Sequence, residues 1–180
     1  MSTTKPLEGI KVIEISTIIT ASLSAMMLSD QGAEVIKIEQ TGFGDPLRYL
    51  GTQKGGISAI FANTNRGKRS VELDLKIESD LAKAKKLISE ADVLINNFRP
   101  GVMDSLGLGK EDCKTLNKDL IYVAITGFGK EGPYANAPAY DHVVQAMSGS
   151  TAIQADEDKP KYIKTLLCDK ITAYTATQSI

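Results

Sequence analysis

The chain has 180 residues, enough to bury one sizeable core, so one domain is the expectation. Its 21 basic and 22 acidic residues nearly cancel and it has no tryptophan. Together these argue against a nucleic-acid surface, a polybasic membrane patch or an aromatic platform for single strands.

The polar start at residues 1–6 (MSTTKP) reads as no secretory signal, and the apolar runs fall short of the roughly 20 residues of a membrane span. Cys113 and Cys168 are far apart and in no metal-ligand spacing, so a cytoplasmic protein with reduced thiols and no metal is expected.

In chain order, residues 10–15 (IKVIEI) read as a strand and residues 21–31 (ASLSAMMLSDQ) as a helix that Gly32 stops. Residues 34–38 (EVIKI) and 70–75 (SVELDL) read as the next strands. Leu81, Ala84, Leu87, Ile88 and Ala91 then recur at helical spacing, followed by strands at 93–95 and 120–126. Residues 165–180 look helical and stop without a cap or polar tail, which reads as part of a longer chain or a surface needing a partner. Strands alternating with helices predict an α/β fold, an open and mostly parallel sheet with helices on both faces. Residues 40–56, 127–139 and 151–161 are loop-like, and long loops in a compact domain tend to be functional.

The most informative stretch is residues 92–101 (DVLINNFRPG), where a buried strand ends in Asn97, Phe98 and Arg99 before Pro-Gly. Ligands of open α/β sheets bind beyond the carboxyl ends of the strands, so these three side chains could hold a large anion. Equally, they could be a capping Asn, a core Phe and a surface Arg.

Residues 65–69 (NRGKR) put Arg66, Lys68 and Arg69 at one sheet edge, as a phosphate clamp or a solvated basic turn. A dinucleotide fingerprint is not met. The turn after the first strand (STIITAS, residues 16–22) has no glycine, although Glu39 ends the second strand where a ribose-binding acid would sit. Residues 127–132 (GFGKEG) match the letters of a phosphate loop, but Pro133 and Tyr134 follow instead of a helix.

Asp141-His142 is either an acid–base dyad or a structural pair, since adjacent residues point in different directions. Asp169 stands among small and apolar residues (TLLCDKITAYTA, residues 165–176) at the head of a helix. It reads as an N-cap or as a carboxylate nucleophile for an activated acyl group.

Taken together, these pieces resemble the family III CoA-transferases and the related α-methylacyl-CoA racemases. Seven stretches carry the resemblance in order and at consistent spacing: residues 6–12 (PLEGIKV), 32–39 (GAEVIKIE), 42–46 (GFGDP), 67–75 (GKRSVELDL), 97–101 (NFRPG), 127–133 (GFGKEGP) and 139–141 (AYD).

The resemblance implies a Rossmann-like large domain that binds coenzyme A as substrate, with Asp169 the catalytic carboxylate. Asp169 would attack an acyl-CoA and pass through an anhydride to an aspartyl-CoA thioester, which a small carboxylic acid then takes over. Ile18, Lys68, Asn97 and Phe98 match CoA contacts, with Arg69 and Arg99 as neighbours of the phosphates on chemistry alone. Gln40 and Pro138 stand where relatives often carry basic residues.

The racemase branch uses a histidine immediately before the Asp of its Tyr-Asp pair; here that place is Tyr140, with His142 on the other side of Asp141. Transferase is therefore favoured, with a racemase or a non-catalytic CoA-binding module as alternatives. Family members are longer and form interlocked homodimers. By the resemblance, residues 1–180 are the N-terminal part of the large domain, without the small domain and the C-terminal return. Alone they are expected to be weakly active at most and to expose apolar surface.

Overall fold

The structure is a computed structural model that describes residues 4–157 and 159–180; the polar start read at residues 1–3 lies outside the described residues. Five parallel strands form the main sheet: β1 (Lys11–Ile15), β2 (Glu34–Glu39), β5 (Arg69–Glu72), β6 (Val93–Asn96) and β7 (Ile121–Ala124), in the order β5-β2-β1-β6-β7. β3 (Gln53–Lys54) and β4 (Ile57–Ser58) make a separate antiparallel ribbon.

Eight helices complete the described chain: α1 (Thr20–Asp30), α2 (Ala59–Asn65), α3 (Glu78–Ser89), α4 (Val102–Ser105), α5 (Lys110–Leu116), α6 (Asp141–Met147), α7 (Ser150–Ile153) and α8 (Leu167–Gln178). The expected open α/β architecture is what forms.

Alternation along the strands sorts the core into two layers. Ile13, Ile15, Ile38 and Leu94 point to the side covered by α3, with Ala84 and Ile88, and by Cys113 of α5. Val12, Val35, Val93 and Ile95 point to the other side, against Ala21, Ala25 and Leu28 of α1. α8 packs alongside α1, and Ser24 and Thr177 share a 3.0 Å hydrogen bond across that seam. Gly32 ends α1 at φ +108°, a conformation that favours glycine. Beside edge strand β7, Ile121, Ile171 and Tyr174 are exposed large apolar side chains.

The expected strands and long helices fall within a few residues of their places. Residues 40–56 are less loop-like than expected, holding a 3-10 turn at Pro46–Tyr49 and β3. Chain direction across the sheet reverses between β1 and β6: from β1 the chain steps outward through β2 to β5, then returns to β6 and β7. The carboxyl ends of β1 and β6 therefore flank the crevice where such sheets bind ligands.

Candidate active site

Asn97 clamps that crevice. Its Nδ2 donates to the Thr17 carbonyl at 2.8 Å, and its Oδ1 accepts from the Thr17 N–H at 3.1 Å. Both ends of the amide thus hold the turn after β1. The next residue, Ile18, sits at φ +66°, a left-handed conformation that is a genuine outlier for a β-branched side chain. Its N–H donates to Asp45 Oδ1 at 3.0 Å. The strained turn persists because Asn97 and Asp45 over-determine it.

Three cavities run along this edge. One of about 450 Å³ lies over Thr17, Gln40, Asp74, Lys76 and Phe98. A second of about 290 Å³ shares Thr17 and Phe98 and adds Arg99 and Pro138. A third of about 160 Å³ shares Asn97, Thr126, Gly127 and Tyr140 with the second and ends at Asp169. Gly127 makes the passage narrow: a Cβ there would come within 2.1 Å of the Ala139 Cβ, so only glycine lets the two loops meet.

Asp169 lies in the first turn of α8, and the Thr20 hydroxyl in the first turn of α1 donates to its Oδ1 at 2.8 Å. Two helix N-termini therefore meet at one carboxylate, where their dipoles favour negative charge. None of the ion pairs among the described residues includes Asp169. Burial raises its pKa above the usual range, against the Thr20 bond, and nearby Asp141 adds to the rise.

Asp169 is not the N-cap of α8. Leu166 holds that position, and the cap comes from elsewhere in the chain: buried Asp141 accepts the N–H groups of Cys168 (2.6 Å) and Asp169 (3.2 Å) on Oδ1, and Gln145 Nε2 on Oδ2. Asp141-His142 is not a dyad. Asp141 turns inward, while His142 is exposed with its ring parallel to Tyr140 at 6.1 Å and edge-on to Tyr162. Tyr140, not His142, lines the Asp169 cavity.

The three cations of residues 65–69 are not brought together. Arg66 pairs with Asp30 at 2.5 Å and Arg69 with Glu34 on the surface. Lys68 turns into the interior, where its Nζ meets Glu14 Oε2 at 2.6 Å and the Ser22 carbonyl at 2.8 Å. Neither Lys68, expected among the CoA contacts, nor Arg69, expected near the phosphates, lines any of the three cavities. Arg69 opens β5, at the amino end of a parallel strand.

Ile18 lines none of the three cavities and is held by its N–H bond to Asp45, while Asn97 is the clamp, Phe98 a half-buried wall and Arg99 an exposed rim. Glu39 is likewise committed, to Arg48, Ser70 and the Asp45 N–H, which overcome the effect of burial and hold it at about 2.

Reading the sequence missed Thr20 and the pair Asp74–Lys76. The latter follow the carboxyl end of β5, so the strand-end rule that singled out Asn97 would have found them. Among the described residues no group of His, Cys, Asp and Glu could hold a metal ion, and no helix is long and apolar enough to cross a membrane.

Residues 7–180 match the family described as CoA-transferase family III. The chain is 44% identical over 155 residues to the acetyl-CoA:oxalate CoA-transferase of Acetobacter aceti, covering 86% of this chain and 40% of that protein. It is 38% identical over 183 residues to the succinate–glutarate CoA-transferase of Agrobacterium fabrum, covering 97% of this chain and 46% of the relative. A crystal structure of a CAIB/BAIF family protein from Brucella suis superposes with a TM-score of 0.93 at 36% identity, over 98% of this chain and 48% of that one. The chain thus spans less than half the length of these relatives.

Proposed function

The chain belongs to CoA-transferase family III, and from that premise we propose that it forms part of an enzyme moving coenzyme A from an acyl-CoA to a small carboxylic acid, with Asp169 as the nucleophile. The observation that carries this reading is the state of Asp169: half-buried, at the end of a cavity, raised in pKa, and met by a neutral hydroxyl where a cation would have quenched it.

Desolvation makes a carboxylate a better nucleophile, and two helix N-termini keep enough of it ionised to attack. The nucleotide end of the CoA would lie at the β1–β6 switch point, over Phe98 and near Arg99, with its thioester reaching past Asn97 to Asp169.

In the proposed cycle the Asp169 carboxylate attacks the thioester carbonyl, giving an acyl-aspartyl anhydride and CoA thiolate. The thiolate attacks the Asp169 Cγ, releasing the donor acid and leaving an aspartyl-CoA thioester. An acceptor carboxylate displaces the thiolate from Cγ, and the thiolate then takes the new acyl group. A cytoplasmic homodimer belongs to the same reading.

The test is trapping. The intact polypeptide is mixed with succinyl-CoA, then treated with hydroxylamine or borohydride, and peptides are mapped by mass. Modification at Asp169 is expected. A folded sample that binds CoA with Asp169 unmodified would instead make the chain a binding module, and deuterium exchange at the α-carbon would favour a racemase.

A further inference from the structure

We propose that the Thr20 hydroxyl is the oxyanion donor for the steps that occur at the Asp169 Cγ. This rests on the reading of Asp169 as nucleophile and assigns a second residue to the reacting atoms.

The geometry separates the two carboxylate oxygens. Thr20 Oγ1 donates to Oδ1 at 2.8 Å, so a lone pair of Oδ1 is engaged and Oδ2 is left to attack the acyl-CoA. Once Oδ2 carries the acyl group, Oδ1 is the carbonyl oxygen of the aspartyl group, still facing the hydroxyl. Thiolate attack then forms a Cγ–S bond and drives the carbonyl pair onto Oδ1. When that pair returns, the Cγ–Oδ2 bond breaks and the donor acid leaves with Oδ2. The acceptor step repeats this with oxygen arriving and sulfur leaving. In each case negative charge develops on Oδ1, and no proton leaves Thr20. A donor already aimed at the oxygen where charge develops needs no reorganisation.

The backbone donors closest in sequence to Asp169 are occupied: the N–H groups of Cys168 and Asp169 at the head of α8 are taken by Asp141, while Asn97 Nδ2 donates to the Thr17 carbonyl. Nor is the Thr20 hydroxyl serving its own helix. Ile19 occupies the N-cap of α1, which has no side-chain cap.

The experiment follows the aspartyl-CoA adduct itself. The intact wild type, Thr20→Val and Thr20→Ser are charged with succinyl-CoA, and decay of the adduct in hydroxylamine is timed by intact mass. Hydroxylamine is small and attacks Cγ without using an acceptor site, so misplacement of the acceptor does not affect the readout. The Thr20→Val adduct is expected to decay about a hundredfold more slowly, in the range found when one oxyanion donor is removed. Thr20→Ser should stay within a few-fold of wild type. Accumulation of acyl-aspartate in place of aspartyl-CoA in Thr20→Val would support the assignment equally.

Equal decay in wild type and Thr20→Val overturns it while leaving Asp169 as nucleophile. Failure of Thr20→Ser to restore the rate also overturns it. Absence of any Asp169 adduct in wild type removes the nucleophile reading, and the oxyanion assignment with it.

Discussion

The first turn of α1 touches two carboxylates and treats them in opposite ways. Ser22 reaches inward to Glu14, which is fully buried and saturated: Oε1 accepts from Lys37 (2.5 Å), Ser16 (2.6 Å) and Ser22 (2.9 Å), and Oε2 from Lys68 (2.6 Å). Lys37 also pairs with Asp45 at 2.9 Å, so two cations and two anions close on one another in the interior. Burial alone would push Glu14 up, but the two ammonium groups overcome it and hold the carboxyl at about 2.

Two residues earlier in the same turn, Thr20 gives Asp169 one neutral donor, and burial raises that carboxyl instead. A carboxylate quenched by cations fixes the fold, and through Asp45 this one also holds the strained Ile18 turn. A carboxylate left with a hydroxyl keeps its reactivity.

The contrast breaks most visibly at the proposed nucleophile. Asp169→Asn is expected to lower transferase turnover of the intact polypeptide by at least about 10⁴-fold while the protein stays folded, as judged by circular dichroism. A variant within tenfold of wild type would move the chemistry elsewhere.

The opposite effect belongs to Glu14→Gln: a loss of about 3–5 kcal/mol in urea unfolding, because buried Lys68 loses its counter-charge and buried Lys37 is left with Asp45 alone. The pH dependence follows from the sign of the shift. A carboxyl whose folded pKa lies below its unfolded value stabilises the protein above the usual carboxylate range, and that stability is lost as pH falls toward 2. The wild type should therefore lose more stability than Glu14→Gln between pH 5 and 3.

Asn97→Ala probes the turn between the two regions. Freeing Thr17 should raise the KM for acyl-CoA about tenfold, roughly the value of one good hydrogen bond or slightly more, with a smaller change in kcat.

The smallest effect concerns the acid limb of the rate profile. In the proposed cycle only ionised Asp169 attacks, so turnover should fall as pH drops through a pKa lying above the ordinary aspartate value. Since the Thr20 bond lowers that pKa, Thr20→Val should move the limb to higher pH; a limb that moves down would mean the hydroxyl does not face the charged form.

How far the sequence foretold these regions differs between them. Apolar strands and the periodic helix α3 were legible because period 2 and period 3.6 leave direct marks. Helices of four to seven residues, such as α4 and α7, are too short to show a period.

The charged cluster left a mark that went unread. β1 reads KVIEI and β2 reads EVIKI, and in register Lys11 faces Glu34 and Glu14 faces Lys37. Charges interrupting two strands of a sheet covered on both faces must find each other. The inward turn of Lys68 went unread for a related reason: nothing in a basic turn shows that the sheet will bring it a buried carboxylate from 54 residues away. For Asp169 the sequence left a cap and a nucleophile open; the cap reading falls because the capping carboxylate, Asp141, lies 28 residues earlier, a distance no local pattern records.

The closeness of α1 to the sheet limits how this protein can vary. Ala21 and Ala25 are fully buried between helix and strands, so that face of α1 admits little beyond a methyl group. A bulkier side chain there would lift the whole first turn, withdrawing Ser22 from Glu14 and Thr20 from Asp169 in one movement. Substitutions at these alanines should thus damage stability and turnover together, so a change that reads as mere core crowding is also a change at the proposed reaction centre.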